Sequence, residues 1–220
     1  MSFVREFTDP ACPAAFAAEP ARWRFEWRWG DRVAWAVVMA PRPAVTAEEL
    51  AAVSEMPVEP APRGLGAPSM HACRAVVGAR LGWPGLERAM LRRLRVLIMG
   101  GEPADDSDTF ELAAAQAGIP VAELAAFCAE PQVEAALRAD IALGRTSPSF
   151  EVDGRSVSLE EVELPDPRPE PRSVLEVLEW AGTPLATAEV AAVCGRDVRD
   201  ELTRVARFEP VGSDGYWSLG

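Results

Sequence analysis

Four cysteines and one histidine hold most of the nucleophilic and metal-binding capacity of this chain. The thiols stand at Cys12, Cys73, Cys128 and Cys194, far apart and without paired spacing. With His71 as the sole histidine, they match neither a zinc-ligand pattern nor a secreted disulfide framework. Cys12 differs from the rest in its neighbours. In TDPACPAAF it follows a short β-forming run (residues 2–8) that ends at Asp9-Pro10, and it precedes Pro13, a residue suited to a first helical turn. A thiol placed there faces unpaired backbone N–H groups and the positive end of a helix dipole. Both favour thiolate, so a pKa below the free value of about 8.5 is expected. A second element is Pro148 in Thr146-Ser147-Pro148-Ser149-Phe150, directly before a β-forming run and therefore a candidate for a cis peptide bond.

Other constellations read more plainly. His71 and Cys73 are two residues apart on a helical pattern and point in different directions, so His71 reads as a helix-start residue near a buried cysteine. No G-x-S-x-G accompanies His71, which argues against a Ser-His-Asp triad. GEPADDSDTFE (101–111) is acidic but lacks the glycine and bidentate glutamate of an EF-hand loop, and reads as helix capping. Arg88, Arg92, Arg93 and Arg95 crowd one helix and read as a solvated face balancing nearby carboxylates, with an anion site as the alternative. Trp23, Trp27 and Trp29 read as core, or as the lip of a pocket at Cys12. Cys128 and Cys194 lie in apolar helical patterns and are expected to be buried and inert.

These residues must be positioned by a mixed α/β chain. SFVREFT (2–8) and VAWAVVM (33–39) predict strands, and the stretch between them is helical at least in its Ala-rich first half; its Trp-rich second half is ambiguous. Strand, helix, strand in that order predicts a right-handed parallel unit. A helical middle follows: a helix at 47–55 capped by Thr46, a Pro/Gly-rich break at 57–68, helices at 70–81 and 86–99, and one at 109–117 opened by Asp108 with Glu111. Two more helices have Pro120 and Pro131 at their first turns. PSFEV (148–152), the turn Asp153-Gly154 and SVSL (156–159) predict a hairpin. The chain thus divides into an α/β domain at 1–163 with a helical insertion at about 44–145, a Pro-rich linker at 164–172, and a module at 173–220. That module, three short helices and a hairpin around Gly-Ser-Asp-Gly, is expected to be winged-helix-like.

Charge narrows the partners. The formal net charge is -12, and all 22 basic residues are arginine. From Ser173 onward four arginines face eight acids, so the module lacks the basic footprint that phosphate contacts need. Nucleic acid and membrane partners are not expected. A protein contact through the module is. No signal-peptide pattern or long apolar run is seen, which predicts a cytoplasmic protein.

Taken together, FTDPACP with the downstream AAEP, AWAVVM after Gly30-Asp31, HACRAV (71–76), EPQVEAALRADIALGR (130–145) and SPSFEVDG (147–154) resemble the DsbA branch of the thioredoxin superfamily, in its bacterial cytoplasmic DsbA/FrnE-like form. The resemblance covers roughly residues 2–160. It implies a thioredoxin-like fold with a large helical insertion, a catalytic Cys12, and a cis-proline loop at Pro148 facing it. Pro13, Ala14, Ala15, Ser147 and Pro148 would then line the substrate site. One departure is central: the motif runs Cys12-Pro13-Ala14-Ala15, so the resolving second cysteine of the family is replaced by Ala15. A single-thiol oxidoreductase-like protein is the first reading, acting on a protein or peptide disulfide or a small thiol. It would need no cofactor beyond a low-molecular-weight thiol as cosubstrate. A non-catalytic adaptor on the same scaffold is the alternative. A glutathione-dependent isomerase or transferase comes third, because those relatives place Ser where this chain has Cys12.

Overall fold

The computed structural model describes residues 1–42, 47–51, 53, 55–60 and 68–220. Strand β1 (Ser2–Thr8) leads through helices α1 (Pro13–Ala17) and α2 (Glu19–Trp29) and a 3-10 turn at Gly30–Arg32 into β2 (Val33–Met39). The two strands pair in parallel, from Ser2 opposite Val33 to Thr8 opposite Met39. The antiparallel hairpin β3 (Ser149–Val152) and β4 (Arg155–Val157) completes a four-stranded sheet in the order β2-β1-β3-β4. Asp153 and Gly154 both have positive φ, 51° and 80°, which a two-residue turn matching the strand twist requires.

The ambiguous Trp-rich stretch is entirely helical. Trp23, Phe25, Trp27 and Trp29 are all buried, because α2 is covered on two sides. Phe25 and Trp29 pack with Val4, Phe150 and Val152 of the sheet, whereas Trp23 and Trp27 pack with Val174, Val177 and Leu178. A helix buried on two faces loses the single apolar stripe by which helices are recognised, so its aromatic spacing imitates a strand.

Between β2 and β3 lie α3 (Ala47–Ala51), α4 (Met70–Gly82), α5 (Glu87–Met99), α6 (Ser107–Gln116), α7 (Val121–Cys128) and α8 (Pro131–Ala142). Helix α6 starts earlier than the sequence predicts: its cap is Asp106, whose side chain accepts from the Asp108 N–H at 3.2 Å. Pro120 is the N-cap of α7 rather than its first helical residue, while Pro131 does open α8. The expected Thr46 cap and residues 61–67 of the expected break lie outside the described residues. Among the described residues no helix is long and apolar enough to cross a membrane.

Residues 164–172 run along α2. Trp29 and Trp27 donate their indole N–H groups to the Leu164 and Pro169 carbonyls, at 3.1 and 2.8 Å, and the Arg168 guanidinium lies 3.7 Å from the Trp27 ring centre. The chain continues through α9 (Val174–Ala181), β5 (Leu185–Ala186), α10 (Thr187–Cys194), α11 (Arg199–Val205), β6 (Arg207–Val211) and β7 (Asp214–Ser218). These strands form a second sheet, β5-β7-β6, and α10 packs along α2. At the β6–β7 turn Gly212 has φ +56°, and a Cβ there would lie 1.9 Å from the Val58 carbonyl oxygen.

Candidate functional site

Strand β1 delivers Cys12 to the start of α1, where it is the N-cap. The Ala15 N–H donates to Cys12 Sγ at 3.4 Å, a backbone donor freed because the first helical turn has no internal acceptors. A second donor, Nη1 of Arg42, reaches the sulfur at 3.4 Å. On the opposite side the thiol donates to the Ser147 carbonyl at 3.7 Å. The Ser147–Pro148 peptide bond is cis, and Pro148 directly precedes β3. Two cationic or polar donors and one carbonyl therefore surround one sulfur.

Cys12 is fully covered, at 0% exposure. Its cover is polar on the Arg42 side, and that side chain remains 28% exposed. Arg42 is also ion-paired to Glu49 of α3. Its bonds to Cys12 first and to Glu49 second favour the charged guanidinium.

Asp9 fixes this geometry. Its Oδ1 accepts from the Ala11 N–H at 2.7 Å, and Oδ2 accepts from the Arg42 N–H at 2.6 Å and from the Ser69 hydroxyl at 2.5 Å. One carboxylate thus ties the Cys12 loop, the segment beyond β2 and the entry of α4. Burial pushes the Asp9 carboxyl up, against the lowering effect of these three bonds. Sequence reasoning used Asp9 only as the end of a strand and passed over Arg42, Glu49 and Ser69. The available signal was a lone arginine just beyond the strand that parallels β1.

The remaining sequence-predicted residues distribute as follows. Pro13, Ala14 and Ala15 form the first turn beside the sulfur, with Ala14 exposed. The Ser147 hydroxyl is buried without a partner among the described residues. All four cysteines are free. Cys73 is buried on α4, and burial with the nearby Asp9 pushes its thiol well up. Cys194 is buried as expected. Cys128 is not. It is half-buried, and with His71, Phe110, Val121 and Leu124 it lines an apolar cavity of about 220 Å³ between α4, α6 and α7. His71 thus shares a cavity with Cys128.

The arginine-rich face of α5 corrects a sequence expectation. Arg92 and Arg95 are buried, their guanidinium groups engaged by Glu19 of α2 and Glu189 of α10. Arg95 pairs with Glu6 at 2.8 Å and with Glu19, and it also bonds the Thr8 hydroxyl. Arg92 pairs with Glu189 of α10 at 2.6 Å and lies 3.6 Å from Glu19. Arg22 reaches Glu6, Glu19 and Glu26 at 3.2, 3.0 and 3.5 Å, and Arg88 reaches Glu26. Glu189 in addition accepts from the Ala186 N–H at 2.6 Å, which caps α10. The sequence signal was the i, i+4, i+7 spacing of Arg88, Arg92 and Arg95, which is that of a buried stripe.

The sheet order, the parallel β1–β2 pair and the helical insertion define a thioredoxin-like fold. Solved structures of disulfide-handling proteins share this fold. A candidate protein disulfide isomerase from Nitrosomonas europaea superposes with a TM-score of 0.58 at 14% identity, over 82% of this chain and 96% of that one. The cytosolic disulfide reductase DsbM from Pseudomonas aeruginosa gives 0.57 at 20% identity, over 70% and 87%. The same protein with GSH gives 0.56 at 17% identity, over 72% and 93%. No family model matches the sequence, and no curated protein matches it.

Proposed function

We propose that this chain is a single-thiol member of the DsbA-like oxidoreductases, with Cys12 as its nucleophile. The observation that carries the reading is the set of groups on one sulfur: Arg42 and the Ala15 N–H as donors, facing the Ser147 carbonyl before cis-Pro148. The Cys12 thiolate attacks one sulfur of a disulfide, forming a mixed disulfide and expelling the other sulfur as a thiolate. Ala15 offers no second thiol, so an external small thiol attacks the mixed disulfide. It leaves with the bound half as a new disulfide and restores Cys12 as thiolate. Pro13, Ala14, Ala15, Ser147 and Pro148 line the approach. A protein or peptide disulfide, or a small-thiol disulfide, is the substrate class. The solution of DsbM with GSH supports the latter, and a reducing cytoplasm fits a cycle that draws on external thiol.

Burial pushes the other three thiols up: Cys73 well above the usual range, Cys128 to about 11, and Cys194 more modestly. Timed alkylation of the native protein near pH 7, read by mass spectrometry, should therefore label Cys12 first. Labelling of Cys128 or Cys73 ahead of Cys12 would overturn the reading.

One observation favours a second reading, a non-catalytic adaptor: Cys12 is fully covered. On that reading the winged-helix-like residues 173–220 present the partner surface. Capture of the partner would then survive Cys12→Ala unchanged.

A further inference from the structure

A cavity of about 310 Å³ opens between α2, α5 and the turn after α9, and Cys12 is not among its lining residues. Trp23, Arg88, Arg92, Arg93, Gln116 and Thr183 are among the residues that line it. With Arg22, four arginines line one cavity in a chain of net charge -12. The surrounding charges do not cancel. Among the described residues five arginines gather here, Arg22, Arg88, Arg92, Arg93 and Arg95, against four glutamates, Glu6, Glu19, Glu26 and Glu189. Each glutamate is held by Arg22, Arg88, Arg92 or Arg95. Arg93 stands outside that set and bonds the Thr183 hydroxyl at 2.8 Å.

A plainer account is that these arginines merely secure the turn after α9. Arg93 does hold Thr183, and Arg92 lies 3.4 Å from the Pro184 carbonyl. That account engages one of the five donor hydrogens of Arg93. It also leaves the Nε–H groups of Arg88 and Arg92, like those of Arg22 and Arg95, buried with no hydrogen-bond acceptor among the described residues, a costly state for charged donors. Burial and the adjacent Arg92 both disfavour the charge on Arg93, and an anion in the cavity would reverse that. The cavity is also within the range of small-ligand sites, and Trp23, Ala89 and Ala117 give it an apolar wall.

We propose that this cavity binds a small molecule through an oxyanion, a phosphate or a carboxylate, seated on Arg93 with Arg88 and Arg92 beside it. The site is independent of thiol chemistry at Cys12. It joins residues of the first domain to the turn at Gly182-Thr183, so an occupant bridges the two.

The test is calorimetric titration of the full chain with inorganic phosphate and, separately, with succinate, against sodium chloride of matched ionic strength. Saturable heat with either probe is expected, with a rise in Tm that chloride does not reproduce. Which probe binds more tightly assigns the oxyanion. Arg93→Gln should weaken binding about tenfold or more, the usual worth of a charge-assisted pair, and leave the alkylation rate of Cys12 unchanged. Thr183→Val is the second variant, since it touches no ion pair, and it should weaken binding less. No saturable binding of either probe by the native chain overturns the proposal, as does undiminished binding by a folded Arg93→Gln variant.

Discussion

Two groups of arginines in this molecule handle charge in opposite ways. At Cys12 one guanidinium, Arg42, reaches the sulfur from the edge of solvent and shares itself with the partly exposed Glu49. Between α2, α5 and α10, Arg92 and Arg95 are buried and interlocked with Glu6, Glu19 and Glu189. The first arrangement leaves a guanidinium that is part exposed, at 28%. The second fixes charge in place, because a buried ion released from its partners has nowhere to be solvated. The tightly held network ties α5 to α2 and α10.

The contrast is broken most completely by Cys12→Ser, which should abolish turnover of a small aromatic disulfide, followed by absorbance, while urea unfolding stays close to native. The converse case is Arg95→Ala. It leaves Glu6 with Arg22 alone and Glu19 with Arg22 and Arg92, and should cost about 3 kcal/mol in urea unfolding, with Cys12 still the first thiol to alkylate.

Acid acts on part of the same network. The surrounding arginines, Arg22 foremost, outweigh burial and hold Glu19 down to about 2 from an ordinary 4.5. Its contribution is complete above about pH 4.5 and disappears as pH falls through about 2. Urea midpoints at pH 7, 4 and 2.5 should therefore drop steeply at the last step, and Glu19→Gln should flatten that step. Asp9, whose carboxyl is pushed up, has the opposite sign: its contribution is complete below 3.8 and fades as pH rises through its folded value.

A smaller and more local effect is expected from Arg42→Ala. Loss of one charged donor to the sulfur, worth about 1.5–3 kcal/mol, should slow Cys12 alkylation at pH 7 by about tenfold or more, read by timed mass spectrometry. Arg42→Lys, which keeps the charge without the planar fork, should fall between native and Ala.

How much of this was legible beforehand depends on distance along the chain. Cys12 and Pro148 are marked by their immediate neighbours, and the β1–β2 unit and the β3–β4 hairpin by local periodicity and an Asp-Gly turn. Arg42, Asp9 and Ser69 come from three separate segments, and their meeting depends on the sheet closing against α4. The α5 arginines were misread for a related reason. Exposed and buried guanidinium groups occupy the same helical positions, and what separates them is whether a carboxylate such as Glu189 arrives from another part of the fold. Helix α2 was obscured by being covered twice, so that its aromatic residues no longer mark one side.

Gly212 carries a practical consequence. Because its Cα lies against the Val58 carbonyl with no room for a methyl group, and Glu59 in turn bonds Met99 of α5 at 2.8 Å, the last hairpin clasps the insertion backbone to backbone. Scissors placed anywhere in 164–172 would release that clasp and bare the indoles of Trp23 and Trp27 together. A shortened chain would thus report on damaged packing, and point substitutions in the intact polypeptide are the sounder instrument.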